Sequence, residues 1–90
     1  MTLTNKIVIS PNAVARQVGD ETVILHLVSG TYFGLDPVGA RIWQLMGEGK
    51  SLGEICDAVL DEYEVSREDL ERDMTVLIKE LLAQDLISTS

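Results

Sequence analysis

The pattern of apolar positions changes from a strand-like to a helix-like period near residue 36. Before that point, short runs rich in β-branched and aromatic residues are separated by residues that favour turns, which is typical of β-strands. The runs predict three antiparallel strands, preceded by a short or irregular segment at Ile7–Ile9. The three predicted strands are Val14–Val18, Thr22–Val28 and Thr31–Leu35.

Two pairs of turn residues connect the predicted strands into a meander. Gly19 and Asp20 separate the first two strands, and Ser29 and Gly30 suit a tight two-residue hairpin between the second and the third. In this order the Thr31–Leu35 strand lies at an edge of the sheet. An edge strand keeps one row of backbone amides and carbonyls available to another chain.

After residue 36 the apolar residues recur at three- and four-residue steps, which predicts three amphipathic helices. Each helix is preceded by a side chain that can accept hydrogen bonds from the free amides of the first turn, namely Asp36, Ser51 and Ser66. One apolar residue of the third helix, Val76, lies away from the apolar stripe. The expected fold is α+β and winged-helix-like, with a three-stranded antiparallel sheet followed by three helices (βββααα).

Length and composition limit the chain to one small core. A domain of ninety residues buries roughly 60–65% of its unfolded surface, which leaves no room for a deep catalytic cavity beside that core. No apolar run approaches the roughly 18–20 residues that a membrane span needs. The N-terminal segment carries Lys6 as its one basic residue and has no small-residue cleavage signal, so we expect a cytoplasmic location.

The chain is acidic, with fifteen Asp and Glu against seven Lys and Arg and a formal charge of −8. Such a charge repels phosphate backbones and anionic membrane surfaces at moderate salt. We therefore expect neither nucleic acid nor a membrane as a partner. The acidic residues of the second and third helices lack the ligand order of a calcium loop, and they fit solvated helix faces.

The sequence offers few groups for catalysis, with one cysteine and one histidine. Cys56 lies at core spacing, which predicts a packed and inert thiol. His26 lies within the second strand, which predicts a structural role, and Trp43 is expected to fill the core. Because these residues assemble neither a nucleophile–base pair nor a metal site, we expect no enzyme activity, no metal and no cofactor.

Three stretches, in this order, resemble the PqqD-like family. They read GTYFGLDPVGARIW from Gly30 to Trp43, GKSLGEI from Gly49 to Ile55, and DMTVLIKELLAQDLI from Asp73 to Ile87. Members of that family are small winged-helix domains that recognise precursor peptides of ribosomally made, post-translationally modified peptides. The resemblance implies a single peptide-recognition domain over residues 1–90, with a core of about 14–87.

Within that family, the chain is more similar to the stand-alone leader-binding proteins of lasso-peptide biosynthesis than to the pyrroloquinoline-quinone pathway protein. The latter typically carries an L-L-x-P-E-type segment before its first helix, where this chain has Gly30–Leu35. The resemblance implies a protein that captures the leader of a precursor peptide. It also implies that the leader is presented to a separate leader protease and a ring-closing enzyme.

A leader bound to such a domain is expected to add as a strand beside Thr31–Leu35, with side chains in a groove against the third helix. Tyr32 and Phe33 point to opposite faces of the strand, so only one of them can face that groove. Asp69, Asp73 and Glu80 of the third helix are expected to pair with a basic residue of the leader. The residues expected to bind the peptide are Thr31, Tyr32, Phe33, Gly34, Leu35, Asp69, Leu70, Asp73, Met74, Val76, Leu77 and Glu80.

Two alternative functions stay open from the sequence. A pyrroloquinoline-quinone-type peptide chaperone would share the family, and a winged-helix module for structure or oligomerisation would share the fold. A winged-helix protein that binds nucleic acid is disfavoured, because no predicted helix carries the row of Lys and Arg needed for phosphate contacts.

Overall fold

Two antiparallel sheets and three helices make up the fold in the computed structural model, which describes residues 6–89. The elements are β1 (Ile7–Ile9), β2 (Ala13–Val18), β3 (Glu21–His26), β4 (Tyr32–Leu35), α1 (Pro37–Gly47), α2 (Leu52–Glu62), α3 (Arg67–Ala83) and β5 (Ile87–Thr89). The predicted three-stranded sheet followed by three helices is confirmed. Within the described residues, no helix is long and apolar enough to cross a bilayer.

The larger sheet has the strand order β2-β3-β4, so within residues 6–89 β4 pairs with β3 alone and lies at an edge. Its register places Ile24 opposite Phe33 and Leu25 opposite Tyr32. Because side chains alternate along a strand, Ile24 and Phe33 share the face that the helices cover. Leu25 and Tyr32 lie on the outer face, where Tyr32 is 77% exposed.

The segment Ile7–Ile9, predicted to be short or irregular, is a short regular strand of three residues. It pairs with β5 from the other end of the chain, with Ile7 opposite Thr89 and Ile9 opposite Ile87. Each of these strands has three residues, which is too short for a period to be read from the sequence. The pairing of β1 with β5 therefore determines that both segments are strands.

The turn between β3 and β4 is longer than the predicted two-residue hairpin. β3 ends at His26 and not at Val28, and β4 begins at Tyr32. The cause is the buried His26 imidazole, whose Nδ1 accepts hydrogen bonds from the amides of Val28 and Ser29 at 3.2 Å each. Gly30, with φ of 76°, adopts the left-handed conformation that returns the chain to β4. His26 thus has the structural role predicted for it.

The predicted capping residues begin the helices. Asp36 Oδ1 accepts a hydrogen bond from the Gly39 amide at 2.7 Å, and Ser66 Oγ accepts one from the Asp69 amide at 3.1 Å. At α2 the capping box is complete, because the Glu54 side chain also accepts a hydrogen bond from the Ser51 amide at 2.8 Å. That bond lowers the pKa of Glu54.

Two arginine pairs connect neighbouring helices at the surface. Arg41 of α1 donates two hydrogen bonds to the Glu62 carboxylate of α2, both at 2.8 Å. Arg67 of α3 donates one to Asp57 of α2 at 2.7 Å. Since these groups are solvent-accessible, each pair contributes little to the free energy of folding.

The core lies between the helices and the inner face of the larger sheet. Ile24 of β3 and Ile55 of α2 are fully buried, and Trp43 of α1 is 8% exposed, which confirms that it fills the core. Cys56 is buried, and its Sγ lies 3.3 Å from Met74 Sδ. Burial raises the pKa of the Cys56 thiol, which agrees with the packed thiol that was predicted.

Candidate functional site

A groove of about 600 Å³ opens between the free edge of β4 and helix α3. Its walls come from these two elements, and the first turns of α1 and the loop that joins α2 to α3 complete its lining. The groove therefore lies where an additional strand would pair with β4. We refer to this cavity as the β4–α3 groove.

The unpaired backbone groups of β4 can be identified from its ladder. The His26 amide donates to the Thr31 carbonyl at 2.8 Å, so the hydrogen-bonded pairs continue along the ladder at Ile24 with Phe33. The amides and carbonyls of the alternate residues, Tyr32 and Gly34, consequently point away from β3. These groups form the row that a bound strand would use.

The strand side of the groove is formed by Phe33, Gly34 and Leu35. Phe33 is half-buried and lines the groove, whereas Tyr32 does not line it. The structure thus decides which of the two aromatic residues faces the cavity. A Cβ added at Gly34 would meet nothing within 4 Å, so no described residue covers the strand at this position.

The helix side of the groove is acidic along its rim and apolar at its base. Residues at three- and four-residue steps of α3 form this wall. Those predicted from the sequence and found in the wall are Asp69, Leu70, Asp73, Leu77 and Glu80. Arg72 also lines the groove and donates a hydrogen bond to Asp69 Oδ1 at 2.7 Å, so one carboxylate of this wall already has a partner.

Four residues expected at the site do not line the groove. Met74 is buried in the core against Cys56, and Thr31 lies in the turn before β4, where its hydroxyl is hydrogen-bonded to Ser29 at 2.8 Å. Tyr32 projects from the outer face of the sheet. Val76 is 52% exposed and lies outside the lining, although the helical period places it on the same side of α3 as Asp73.

Sequence reasoning missed the residues that close the groove at the beginning of α1. Val38, Gly39 and Ile42 lie there, on the helix that directly follows β4. A Cβ at Gly39 would lie 3.1 Å from Asp36 Oδ1, so glycine lets the capping carboxylate approach. The α1 period alone does not show that these residues also reach the edge of β4.

The loop between α2 and α3 contributes Glu64, Val65 and Ser66, which were also missed. Val65 is 40% exposed and directly precedes the capping residue Ser66. Leu70, four residues after Ser66, lines the same groove. An apolar residue before the cap that packs near the fourth helical residue is a hydrophobic staple, and this spacing was the available signal for Val65.

Two solved structures are similar to the chain over most of its length. One is TbiB1 in complex with the TbiA(beta) leader peptide, with 47% identity and a TM-score of 0.82, covering 90% of this chain and 94% of TbiB1. The other is a lasso peptide synthetase B1 complexed with the leader peptide, with 29% identity and a TM-score of 0.82, covering 92% of this chain and 98% of the other. No curated protein sequence shows significant similarity.

The family comparison agrees with the resemblance found in the sequence. Residues 21–87, which include β3, β4 and all three helices of the described part of the chain, match the family described as coenzyme PQQ synthesis protein D (PqqD). The matched region contains both walls of the β4–α3 groove. This chain belongs to the PqqD family.

Proposed function

We propose that this protein binds the leader region of a ribosomally made precursor peptide by strand addition to β4. The observation that carries the proposal is the one-sided pairing of β4 beside a groove. Unpaired strand edges otherwise favour uncontrolled association, and a specific peptide partner is one use for such an edge. Two similar proteins, TbiB1 and a lasso peptide synthetase B1, are known in complexes with leader peptides.

The length of the groove sets the length of the bound segment. Along α3 the lining runs from Ser66 to Glu80, which corresponds to about 21 Å at 1.5 Å per residue. An extended peptide rises about 3.3 Å per residue, so roughly six residues lie along α3, and those beside Tyr32–Leu35 also contact the strand. Every second residue of that segment points toward the groove, which leaves about three side chains to determine selectivity.

Affinity in this arrangement comes from two sources. The amides and carbonyls of Tyr32 and Gly34 pair with the peptide backbone and give sequence-independent affinity. Partly exposed apolar side chains, chiefly Phe33, Val65 and Leu77, form the surfaces on which anchor residues of the leader pack. Such anchors dominate the binding energy of an interface more than its area does.

We assign leader removal and ring closure to separate enzymes, a leader protease and a cyclase. Cys56 is buried against Met74, and His26 Nδ1 is occupied by two backbone amides, so neither group is positioned to act on a bound peptide. The protein then acts as a non-catalytic carrier that holds the leader and presents the remainder of the precursor. The similarity to a lasso peptide synthetase B1, with 29% identity over 92% of this chain, favours a lasso precursor over a pyrroloquinoline-quinone precursor as the partner.

Titration of isotope-labelled protein with leader peptides tests the proposal. The peptides are the TbiA(beta) leader and the leader of any short precursor found encoded beside this protein's gene, with a pyrroloquinoline-quinone precursor as comparison. We expect saturable binding of a lasso leader, with the largest amide shifts in Tyr32–Leu35 and along the groove face of α3. Absence of binding by every peptide, or shifts confined to β2 or β5, would reject strand addition to β4.

A further inference from the structure

The two ends of the β4–α3 groove differ in their electrostatic environment. His26 pairs with Thr31, the residue that precedes β4, and its Nε2 is 3.8 Å from Asp85 Oδ2, just beyond α3. The Tyr32 end of β4 therefore lies beside the C-terminal end of α3. The Leu35 end lies beside the beginning of α3, where Val65 and Ser66 line the groove. A bound strand therefore runs along α3 from one end of the helix to the other.

Most of the negative charge at the Leu35 end is compensated within the protein. Asp36 caps α1 through the Gly39 amide, and Asp69 accepts a hydrogen bond from Arg72. The N-termini of both α1 and α3 lie at this end, and each carries about half a positive charge from the helix dipole. Glu64 is the remaining carboxylate in the lining there.

The Tyr32 end lacks such compensation. Glu80 lines the groove near the C-terminal end of α3 and Asp73 lines it midway along the helix, and within residues 6–89 neither has an ion pair. The C-terminus of α3 adds about half a negative charge, and its last turn contains no basic residue. Asp85 follows directly, with its side chain 94% exposed.

The apolar residues of the groove lining are concentrated at the Leu35 end, away from the uncompensated negative charge. Leu35, Val38, Ile42, Val65 and Leu70 come from elements that meet at the Leu35 end. Only Phe33 and Leu77 are apolar toward the Tyr32 end, within the part of the chain that the structure describes. The groove consequently offers an apolar half and an anionic half to a single extended peptide.

We propose that the groove selects an extended peptide with a fixed polarity, with one or two Lys or Arg residues beside Tyr32 and Phe33 and apolar anchors beside Leu35. This inference rests on the proposed function, since it specifies the ligand of the same groove. It adds a positional requirement that hydrophobic anchors alone would not impose. Asp73 and Glu80 are the residues that determine specificity at the cationic position, and Arg72 excludes a second cation near Asp69.

Selection from a random library identifies peptides that bind the groove, whatever their sequence. An mRNA-displayed library of fifteen-residue peptides is selected on the immobilised protein at about 50 mM NaCl. Bound clones are retained for analysis if their binding shifts the amides of Tyr32–Leu35. We expect Lys or Arg to be enriched at a constant spacing from the apolar anchors. A nitroxide attached to the peptide next to that basic residue should broaden the amide NMR signals of Tyr32 and Phe33 more than the signal of Gly39.

Charge reversal gives the matched comparison. The best recovered peptide should bind Glu80→Lys about five- to tenfold more weakly, whereas Asp61→Lys should change affinity less than twofold, because Asp61 is exposed on α2 outside the groove lining. Replacing the basic residue of the peptide with Glu should restore its binding to Glu80→Lys. The difference in the affinity of the original peptide for Glu80→Lys and Asp61→Lys should be smaller at 0.5 M NaCl, where charges are screened within a few ångströms.

The outcomes separate this inference from the proposed function. Peptides that shift the β4 amides but show no Lys or Arg enrichment, or that bind Glu80→Lys and Asp61→Lys equally well, would overturn the charge polarity and leave strand addition intact. A nitroxide effect stronger at Gly39 than at Phe33 would reverse the assigned end. Recovery of no peptide that shifts β4 would contradict strand addition itself.

Discussion

Gly34 lies opposite Val23 in the β3–β4 ladder, at a pair that exchanges no backbone hydrogen bonds, so its amide points toward the β4–α3 groove. The amide can be removed without breaking the sheet. Proline has no backbone donor and is tolerated on edge strands. Phe33, the residue before it, is already extended, as a residue preceding proline prefers.

We therefore expect Gly34→Pro to weaken leader binding about tenfold, through loss of one hydrogen bond of roughly 1 kcal/mol and steric blocking of the edge. The free energy of unfolding should change by less than about 1 kcal/mol. Gly34→Ala is the matched control, because its Cβ meets nothing within 4 Å and its amide remains. Calorimetry and urea unfolding measure both quantities, and equal affinity of the two variants would contradict the assignment of the free amide.

Truncating a core residue of α3 should lower the free energy of unfolding much more than truncating a surface residue of the same helix. Leu81 is fully buried, whereas Val76 is 52% exposed on the same helix. We expect Leu81→Ala to lower the free energy of unfolding by about 2–5 kcal/mol, and Val76→Ala to lower it by less than about 0.5 kcal/mol. Chemical denaturation of the two variants measures the difference. Comparable losses would mean that Val76 is covered in solution.

Acidification should lower the stability of the fold by protonating the Glu62 carboxyl. The hydrogen bonds from Arg41 hold the pKa of the Glu62 carboxyl below its ordinary value of 4.5. A carboxyl whose pKa is lower in the folded state stabilises the fold above the unfolded pKa, and this contribution is lost as the pH falls through the folded pKa. We expect the urea midpoint of Glu62→Gln to depend less on pH below about 4.5 than that of the parent protein.

The control for this pH experiment is Glu64→Gln, because Glu64 has no ion pair among the described residues. It removes a carboxyl without removing a partner of Arg41. An identical pH dependence for Glu62→Gln and the parent protein would show that the Arg41 pair does not contribute to the acid response.

Cys56 should react with thiol reagents only when the protein unfolds. The side chain is 1% exposed and burial raises its pKa, so both access and thiolate content are low in the folded state. We expect the labelling rate with a disulfide reagent to follow the unfolding equilibrium across a urea series. Val18→Cys, at a position that is 63% exposed, provides a thiol that should label at once.

The sequence predicted the helices better than the turns because the helix signals are local. Asp36, Ser51 and Ser66 accept hydrogen bonds from amides three residues away, so each start can be read within one turn of chain. The β3–β4 turn depends on the burial of His26 and on the two amides that its ring accepts. Burial is a property of the whole fold, and the Ser29-Gly30 pair alone could not indicate it.

The site was predictable to the extent that it lies on one strand and one helix. The period of α3 correctly brought Asp69, Asp73, Leu77 and Glu80 to one side, although whether these residues bind a peptide stays a prediction. Met74 shares the side of α3 that carries Leu70 and Leu77, but the structure places it in the core against Cys56 and outside the groove lining. Val38 and Val65 come from other elements, and their approach to β4 depends on packing between the helices and the sheet.

The pairing of β1 with β5 brings Ile7 and Thr89 side by side at one border of the molecule. A short flexible linker can therefore join β1 to β5, and new termini can be opened at the exposed Gly19-Asp20 turn, at the far end of the β2–β3 hairpin from β1. Such a circular permutant would keep every hydrogen bond of the β4–α3 groove. The same proximity makes the fold suited to insertion, as a peptide-holding cassette, into a surface loop of an unrelated enzyme.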